Sequence, residues 1–119
     1  MTHMKSAAQS KTDKDVKHVK AKEAEKLVAQ KNVVVLDVRT PAEFKEGHIP
    51  GATNIDFRAG DFEKRIGNLD KNKSYLVHCG SGGRSTQSLP ILKKQQLNSV
   101  YHLDGGFTGW KKEGLPVEK

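Results

Sequence analysis

Two apolar runs that lack the alternation of a one-sided strand constrain this chain more than any other feature. Val33-Val34-Val35-Leu36-Asp37-Val38 is one; Tyr75-Leu76-Val77, with Ser74 before it and His78 after it, is the other. Both have the length and the β-branched or aromatic bias of buried strands. Runs apolar toward both sides belong to sheets covered on both faces. Such sheets are mostly parallel and use helices as crossovers.

Helical patterns fall between the strands as that requires. The spacing of Val16, Val19, Ala24, Leu27 and Val28 predicts a helix over Val16 to Gln30. Thr40-Pro41-Ala42-Glu43 is a helix start, in which threonine caps, proline takes the first turn and Glu43 completes a capping-box spacing. That helix is expected to stop at Gly47, where His48-Ile49-Pro50-Gly51-Ala52 turns into a brief strand from Thr53 to Ile55. Further helices are expected from Gly60 to Ile66, from the loop after Cys79 to Gln96, and from Phe107 to Glu113, with a strand from Ser99 to Leu103. Pro90 falls inside the second of these, where it cannot donate to the Thr86 carbonyl, so a kink or a late start is expected. Strands alternating with helices make an α/β domain with a mainly parallel central sheet. In such sheets the ligand sits beyond the carboxyl ends of the strands.

Cys79, the only cysteine, stands at one of those ends. It opens Cys79-Gly80-Ser81-Gly82-Gly83-Arg84-Ser85, where three glycines within four residues lead into a helix start that carries a guanidinium. A packed cysteine before a flexible turn is the plain reading of a lone thiol. An inert core cysteine, however, has no use for bare backbone amides and a charged closing residue. The combination reads as a nucleophile set in a cradle for an anion.

Composition bounds the partners. At 119 residues the chain can build one real core but not two. Its first 22 residues hold six lysines against Asp13 and Asp15, so most of the formal net charge of +7 describes a leader. Aromatic residues do not interleave with those lysines, and no nucleic-acid partner is expected. Residues 1–15 read as a flexible basic tail with too little apolar area to offset its ordering entropy, and 16–119 as the domain proper. No run has the apolar length of a transmembrane helix, and one cysteine rules out an internal disulfide. No membrane partner is expected, and a monomer is. Localisation stays open. A free reactive thiol slightly favours the cytoplasm, but Met1-Thr2-His3-Met4 looks like an expression scar. A signal peptide removed ahead of it would make the protein periplasmic.

Four separated segments carry a resemblance. They are Leu36-Asp37-Val38-Arg39 with Thr40-Pro41-Ala42-Glu43-Phe44; Gly47-His48-Ile49-Pro50-Gly51-Ala52 with Asn54-Ile55; the Cys79-to-Arg84 loop; and Leu103-Asp104-Gly105-Gly106 with Gly109-Trp110. In this order, closed by Gly114-Leu115-Pro116-Val117, they make the chain from about Val16 onward resemble a single-domain rhodanese, a sulfurtransferase. The resemblance implies a five-stranded parallel sheet flanked by helices, with Cys79 on the active-site loop. It also implies a reaction. The Cys79 thiolate takes the outer sulfur of thiosulfate, sulfite leaves, and the persulfide passes to cyanide, a small thiol or the cysteine of an acceptor protein. Gly80, Ser81, Gly82, Gly83, Arg84 and Ser85 would bind the donor, and neither a metal nor an organic cofactor is required.

Loop length separates the nearest enzymatic rival. Protein tyrosine phosphatases and related arsenate reductases place five residues between cysteine and arginine, whereas Gly80 to Gly83 are four. A smaller ring suits sulfur better than a phosphoryl group in flight. Many rhodaneses also carry a cation directly after the cysteine, where this chain has Gly80. Arg84 is then the only loop cation, and a persulfide or polysulfide of lower charge becomes the expected donor. A different class of function also stays open, in which the domain is a persulfide relay or binding module for a partner protein with little thiosulfate turnover. The lysine-rich leader would steer an acidic partner by an attraction that salt weakens.

The remaining polar residues are read one at a time. Two roles are open to Arg84, donor contact or bracing of the loop, and two to Ser85, donation (like Ser81) to the oxygens of a bound sulfur donor and helix capping. Asp37 and Arg39 read as a structural ion pair, and His48 as a turn hydrogen-bonder rather than a base. Arg58, after the short second strand of this reading, is a candidate for the pocket rim. His78 neighbours Cys79 on a strand, so its side chain should point to the opposite face, which argues against a Cys79–His78 pair. Histidines 3, 18, 48, 78 and 102 show no metal-ligand spacing with Cys79, and no metal site is expected. Phe107 and Trp110 read as core.

Overall fold

The computed structural model describes residues 16–119, so the leader read as a basic tail lies outside the described residues. Five strands, β1 (Val16–Val19), β2 (Val33–Asp37), β3 (Thr53–Asn54), β4 (Ser74–His78) and β5 (Ser99–Leu103), form one sheet in the order β1-β5-β4-β2-β3. Every neighbouring pair is parallel. Five helices complete the chain: α1 (Ala21–Val28), α2 (Pro41–Glu46), α3 (Phe62–Gly67), α4 (Gly83–Lys93) and α5 (Gly106–Lys112). The expected five-stranded parallel sheet flanked by helices is the architecture that forms.

The largest departure from the sequence reading is at the start. Val16 to Val19 are not the first turn of a helix; they are strand β1, and the helix begins only at Ala21. Two valines three residues apart fit a helix face, but over four residues the helical and strand periods are hard to separate. Pairing with β5, Val16 opposite Val100 and Val19 opposite Leu103, decides the outcome. Elsewhere the ends shift by a residue or two. Val38 lies past the end of β2, Ile55 past β3, and α3 starts at Phe62 instead of Gly60. The helix after the Cys79 loop shows no late start. It begins at Gly83, runs through Pro90 and ends at Lys93 rather than Gln96, whose positive φ of 55° lies outside helical space.

The strand alternation divides the core in two. On one face Tyr75, Val77 and Cys79 of β4 and its continuation pack with Leu36, Val38, Val100 and the α3/α4 residues Phe62, Ile66, Leu89 and Leu92. On the other, Leu76 packs with Val35, Leu103 and the α1/α5 residues Ala24, Leu27, Phe107 and Trp110. Phe107 and Trp110 are therefore core, as expected. At about 25 cal/mol per Å² of apolar area removed from water, these two layers supply the main driving force for folding. Both layers are needed because β4 is buried along its whole length on both faces. Among the described residues no helix is long and apolar enough to cross a membrane.

Candidate active site

At the carboxyl end of β4 the chain leaves the sheet and wraps back on itself within one loop. Cys79 sits at its base and is buried, with 1% of its surface exposed. The loop's own carbonyls face away from the sulfur: Cys79 O accepts the Phe107 N–H at 2.9 Å and Gly80 O accepts the Thr108 N–H at 3.0 Å. Those two donors are free because they lie in the first turn of α5, which has no intrahelical acceptor for them. Gly106, with φ of 61°, makes the approach feasible. A Cβ there would stand 2.4 Å from Gly80 O and 2.8 Å from Cys79 O. The Leu103-Asp104-Gly105-Gly106 motif is thus the outer brace of the loop.

With the carbonyls turned outward, the amides turn in. The Gly82 N–H reaches Sγ at 3.1 Å, and Ser85 Oγ stands 3.4 Å from it. Gly82 holds φ at 119°, and a Cβ there would meet Asp104 O at 2.9 Å, so glycine is required for both reasons. Burial pushes the Cys79 thiol up. Hydrogen bonds from the Ser85 hydroxyl and from the N–H groups of Ser85, Gly82 and Ser81 outweigh it and hold the thiol below its ordinary range. Gly83 opens α4, whose N-terminal dipole adds about 0.3–1 kcal/mol for negative charge in the loop. Ser85 is not the helix cap; Gly82 occupies that position, and Ser85 lies fully buried in the first turn.

Arg84 is committed elsewhere. Its Nη1 and Nη2 donate to Glu43 Oε1 and Oε2 at 2.7 and 3.0 Å, a forked pair joining α4 to α2. Glu43 also closes the expected capping box, accepting from the Thr40 N–H at 3.0 Å and the Thr40 hydroxyl at 3.1 Å. The bond from Arg84 outweighs partial burial and, with the two from Thr40, holds the Glu43 carboxyl at about 2. The guanidinium lies against Gly80: a Cβ there would be 3.4 Å from Nη2. The sequence reading left donor contact and bracing equally open for Arg84, and the resting geometry is that of the brace.

Behind the loop a second forked pair is sealed. Arg39 donates to both oxygens of Asp37, Nε at 3.0 and 3.1 Å and Nη2 at 2.7 Å, with both side chains buried. Its Nη2 also reaches Gly47 O at 2.7 Å, and the guanidinium carbon lies 4.3 Å from the centre of the Phe107 ring. His48 pairs through Nδ1 with Phe44 O at 2.8 Å, a turn contact. His78 does point away from Cys79 Sγ. Its Nδ1 donates to Cys79 O at 2.9 Å, and Nε2 is buried without a partner, 3.7 Å from Asp37 Oδ2. Burial keeps this imidazole below its ordinary range, hence neutral. Arg58 is exposed in the turn after β3, its N–H on Asp56 Oδ1.

One residue that the sequence reading weighs only as a metal ligand touches the site. His102 of β5 is buried, and its Nε2 is 2.7 Å from Ser85 Oγ. Its Nδ1 is 2.8 Å from Asp104 Oδ1, which also holds His18 Nδ1 at 2.7 Å. The two imidazole–carboxylate contacts are shorter than the roughly 3.3 Å between two nitrogen or oxygen ligands of a tetrahedral zinc, so the trio is a hydrogen-bonded cluster as it stands. The signal for His102 was its parity: it is two residues from Val100, on the face that Val77 and Cys79 share.

A family model described as the rhodanese-like domain matches residues 20–113. The chain belongs to that family. This rhodanese-like domain is 34% identical to the rhodanese-like domain-containing protein 14, chloroplastic, of Arabidopsis thaliana, over 89% of this chain and 66% of that protein. It is 32% identical to the thiosulfate sulfurtransferase GlpE of Shewanella oneidensis, over 79% of this chain and 91% of that one. Among solved structures, a rhodanese-related protein from Thermoplasma volcanium superposes with a TM-score of 0.76 at 30% identity, over 86% of this chain and 97% of that chain.

Proposed function

We propose that this rhodanese-like domain moves a sulfane sulfur through a persulfide on Cys79. The observation that carries the reading is the set of donors aimed at Sγ, above all the Gly82 N–H at 3.1 Å and the Ser85 hydroxyl at 3.4 Å. They stabilise a thiolate before attack and an anionic persulfide after it. With thiosulfate, the thiolate forms a bond to the outer sulfur, the sulfur–sulfur bond of the donor breaks, and sulfite departs with the electron pair. Cys79 is left as a persulfide anion. Cyanide or a thiolate then bonds to that outer sulfur and releases thiocyanate or a new persulfide, returning Cys79 as thiolate. No proton and no outside oxidant is needed in either half.

The favoured donor is a persulfide or polysulfide of low charge, and the favoured acceptor a small thiol or a protein cysteine. Glu43 supports this: it neutralises Arg84, the single cation of the loop, so a dianion meets less attraction than in a loop with a free guanidinium. Intact-protein mass spectrometry after treatment with thiosulfate or glutathione persulfide, then cyanide, tests the reading. Wild type should gain one sulfur atom and lose it to cyanide, more completely with the persulfide, while Cys79→Ala gains none. Failure with every donor would sink sulfur transfer and leave the binding-module reading.

A further inference from the structure

The proton on the nucleophile has a path, and it leads to a histidine on another strand. His18, His102 and Val77 occupy the same rung of the sheet on β1, β5 and β4, facing the side on which Cys79 lies. Ser85, on the first turn of α4, fills the space between His102 Nε2 at 2.7 Å and Cys79 Sγ at 3.4 Å. At the far end Asp104 Oδ1 receives both His102 Nδ1 and His18 Nδ1, and His18 and Asp104 are about half exposed. The series runs without a break from solvent to a thiol that is itself buried.

The hydrogen-bond roles follow from the carboxylate. Asp104 is acceptor-only when ionised, so His102 Nδ1 carries the proton it donates there. In the neutral ring Nε2 is then a bare acceptor, and the hydroxyl 2.7 Å away donates to it. Ser85 has one hydroxyl proton for three neighbours, His102 Nε2 at 2.7 Å, Gly82 O at 3.3 Å and Sγ at 3.4 Å. Placed on the shortest contact, it leaves Oγ an acceptor for the S–H, and it turns to Sγ only once the sulfur is a thiolate. Burial holds His102 below its ordinary range against the pull of Asp104, which keeps that acceptor available at neutral pH.

We propose that Ser85 and His102, oriented by Asp104, form a proton relay that converts the Cys79 thiol to the thiolate. The S–H bond breaks as its proton passes to Ser85 Oγ, and the original Ser85 O–H proton passes to His102 Nε2. A thiolate, an intact serine hydroxyl and an imidazolium result, with no atom gained or lost. The two hydrogen bonds at Ser85 reverse while the heavy atoms stay in place. Nε2–H now donates to Oγ, and the Ser85 hydroxyl donates to the thiolate. Nδ1 keeps its proton on Asp104 throughout, so the carboxylate, itself held ionised, balances the imidazolium's charge. Ser85 touches the reacting sulfur and is catalytic in this step, whereas His102 acts through Ser85 and is a positioning residue.

Other charges face the couple and set its background. Arg84 of α4, paired to Glu43 of α2, lies against Gly80 of the loop, and His78 of β4 with Asp37 and Arg39 sits behind it. His102 differs from these in being joined to the sulfur by a single hydroxyl.

The inference rests on Cys79 being the nucleophile, but its test needs no sulfur donor, so it can fail while sulfur transfer stands. The rate of Cys79 alkylation by iodoacetamide is measured against pH for wild type, His102→Gln, Ser85→Ala and the double variant. Thiol and imidazole exchanging one proton titrate as a coupled pair, giving two inflections in wild type. His102→Gln should show one, displaced to higher pH, with alkylation near pH 6 slowed about tenfold, which is one pKa unit. The alkaline plateau should not move. Ser85→Ala should reproduce the displacement, and the double variant should add nothing further. Matching midpoints in wild type and His102→Gln overturn the relay. The reciprocal readout uses a change that leaves the His102 cluster intact. In histidine-labelled protein followed by NMR, the His102 ring should titrate with an inflection that disappears in Cys79→Ala. An identical titration in the two proteins overturns it as well.

Discussion

The domain holds two forked carboxylate–guanidinium pairs with nearly the same bond lengths and opposite characters. Asp37 and Arg39 are two residues apart, sealed from water, and further held by Gly47 O and the Phe107 ring. Glu43 and Arg84 are 41 residues apart, join two helices at the mouth of the loop, and keep 39% and 20% of their side-chain surfaces in water. Burial raises the cost of separating charges, whereas exposure lets water replace a lost partner. The inner pair therefore belongs to folding. The outer pair belongs to the electrostatics of the site, where it can change at small cost.

The sharpest way to break that contrast is to remove one carboxylate from each pair. Asp37→Asn leaves a buried guanidinium without its counter-charge and should cost about 3–5 kcal/mol. By calorimetry its Tm should fall by more than about 10 °C. A drop of only a degree or two would mean that Gly47 O and Phe107 hold Arg39 unaided. Glu43→Gln, which keeps a capping-box residue at that position, should cost about 1 kcal/mol or less. Its effect should appear in kinetics instead. With Arg84 no longer neutralised, KM for thiosulfate should fall several-fold, while KM for an uncharged persulfide stays put. An unchanged thiosulfate KM would mean that Glu43 does not govern the capture of anionic donors.

The smallest expected effect is the pH dependence. Glu43 is held at about 2 against an ordinary 4.5, so its stabilisation is complete above pH 4.5 and is lost as pH falls through about 2. Because the pair is part-exposed, the amount is about 1 kcal/mol at most. Denaturant unfolding of wild type and Glu43→Gln should differ by that amount near neutrality, and the difference should close in acid. A gap constant with pH would assign the loss to packing.

The sequence shows the outer pair's members but not their pairing. Glu43 is legible as a capping-box residue and Arg84 as the loop's cation, each from local spacing. That they meet follows from how α2 and α4 lie across the sheet, which no local pattern encodes. The same divide runs through the fold. Val33 to Asp37, the helix start at Thr40 and the Cys79 loop are written in neighbouring residues. Strand β1 exists only because β5 offers it a partner, and a four-residue run could not announce that. His78 adjoins Cys79 in the chain, where any reader of the sequence meets it. His102 adjoins the sulfur in space, through a serine, and only strand register brings it there.

The brace at Gly106 has a consequence for biosynthesis. The residues that turn the Cys79 and Gly80 carbonyls away from the sulfur lie 25 or more positions later in the chain. At translation rates of about 5–20 residues per second, the thiol precedes its cradle by a second or more. Through that interval the nascent polypeptide carries a cysteine of ordinary acidity. The surroundings that hold the Cys79 thiol below its ordinary range thus arrive with the last strand and helix, as the final product of assembly.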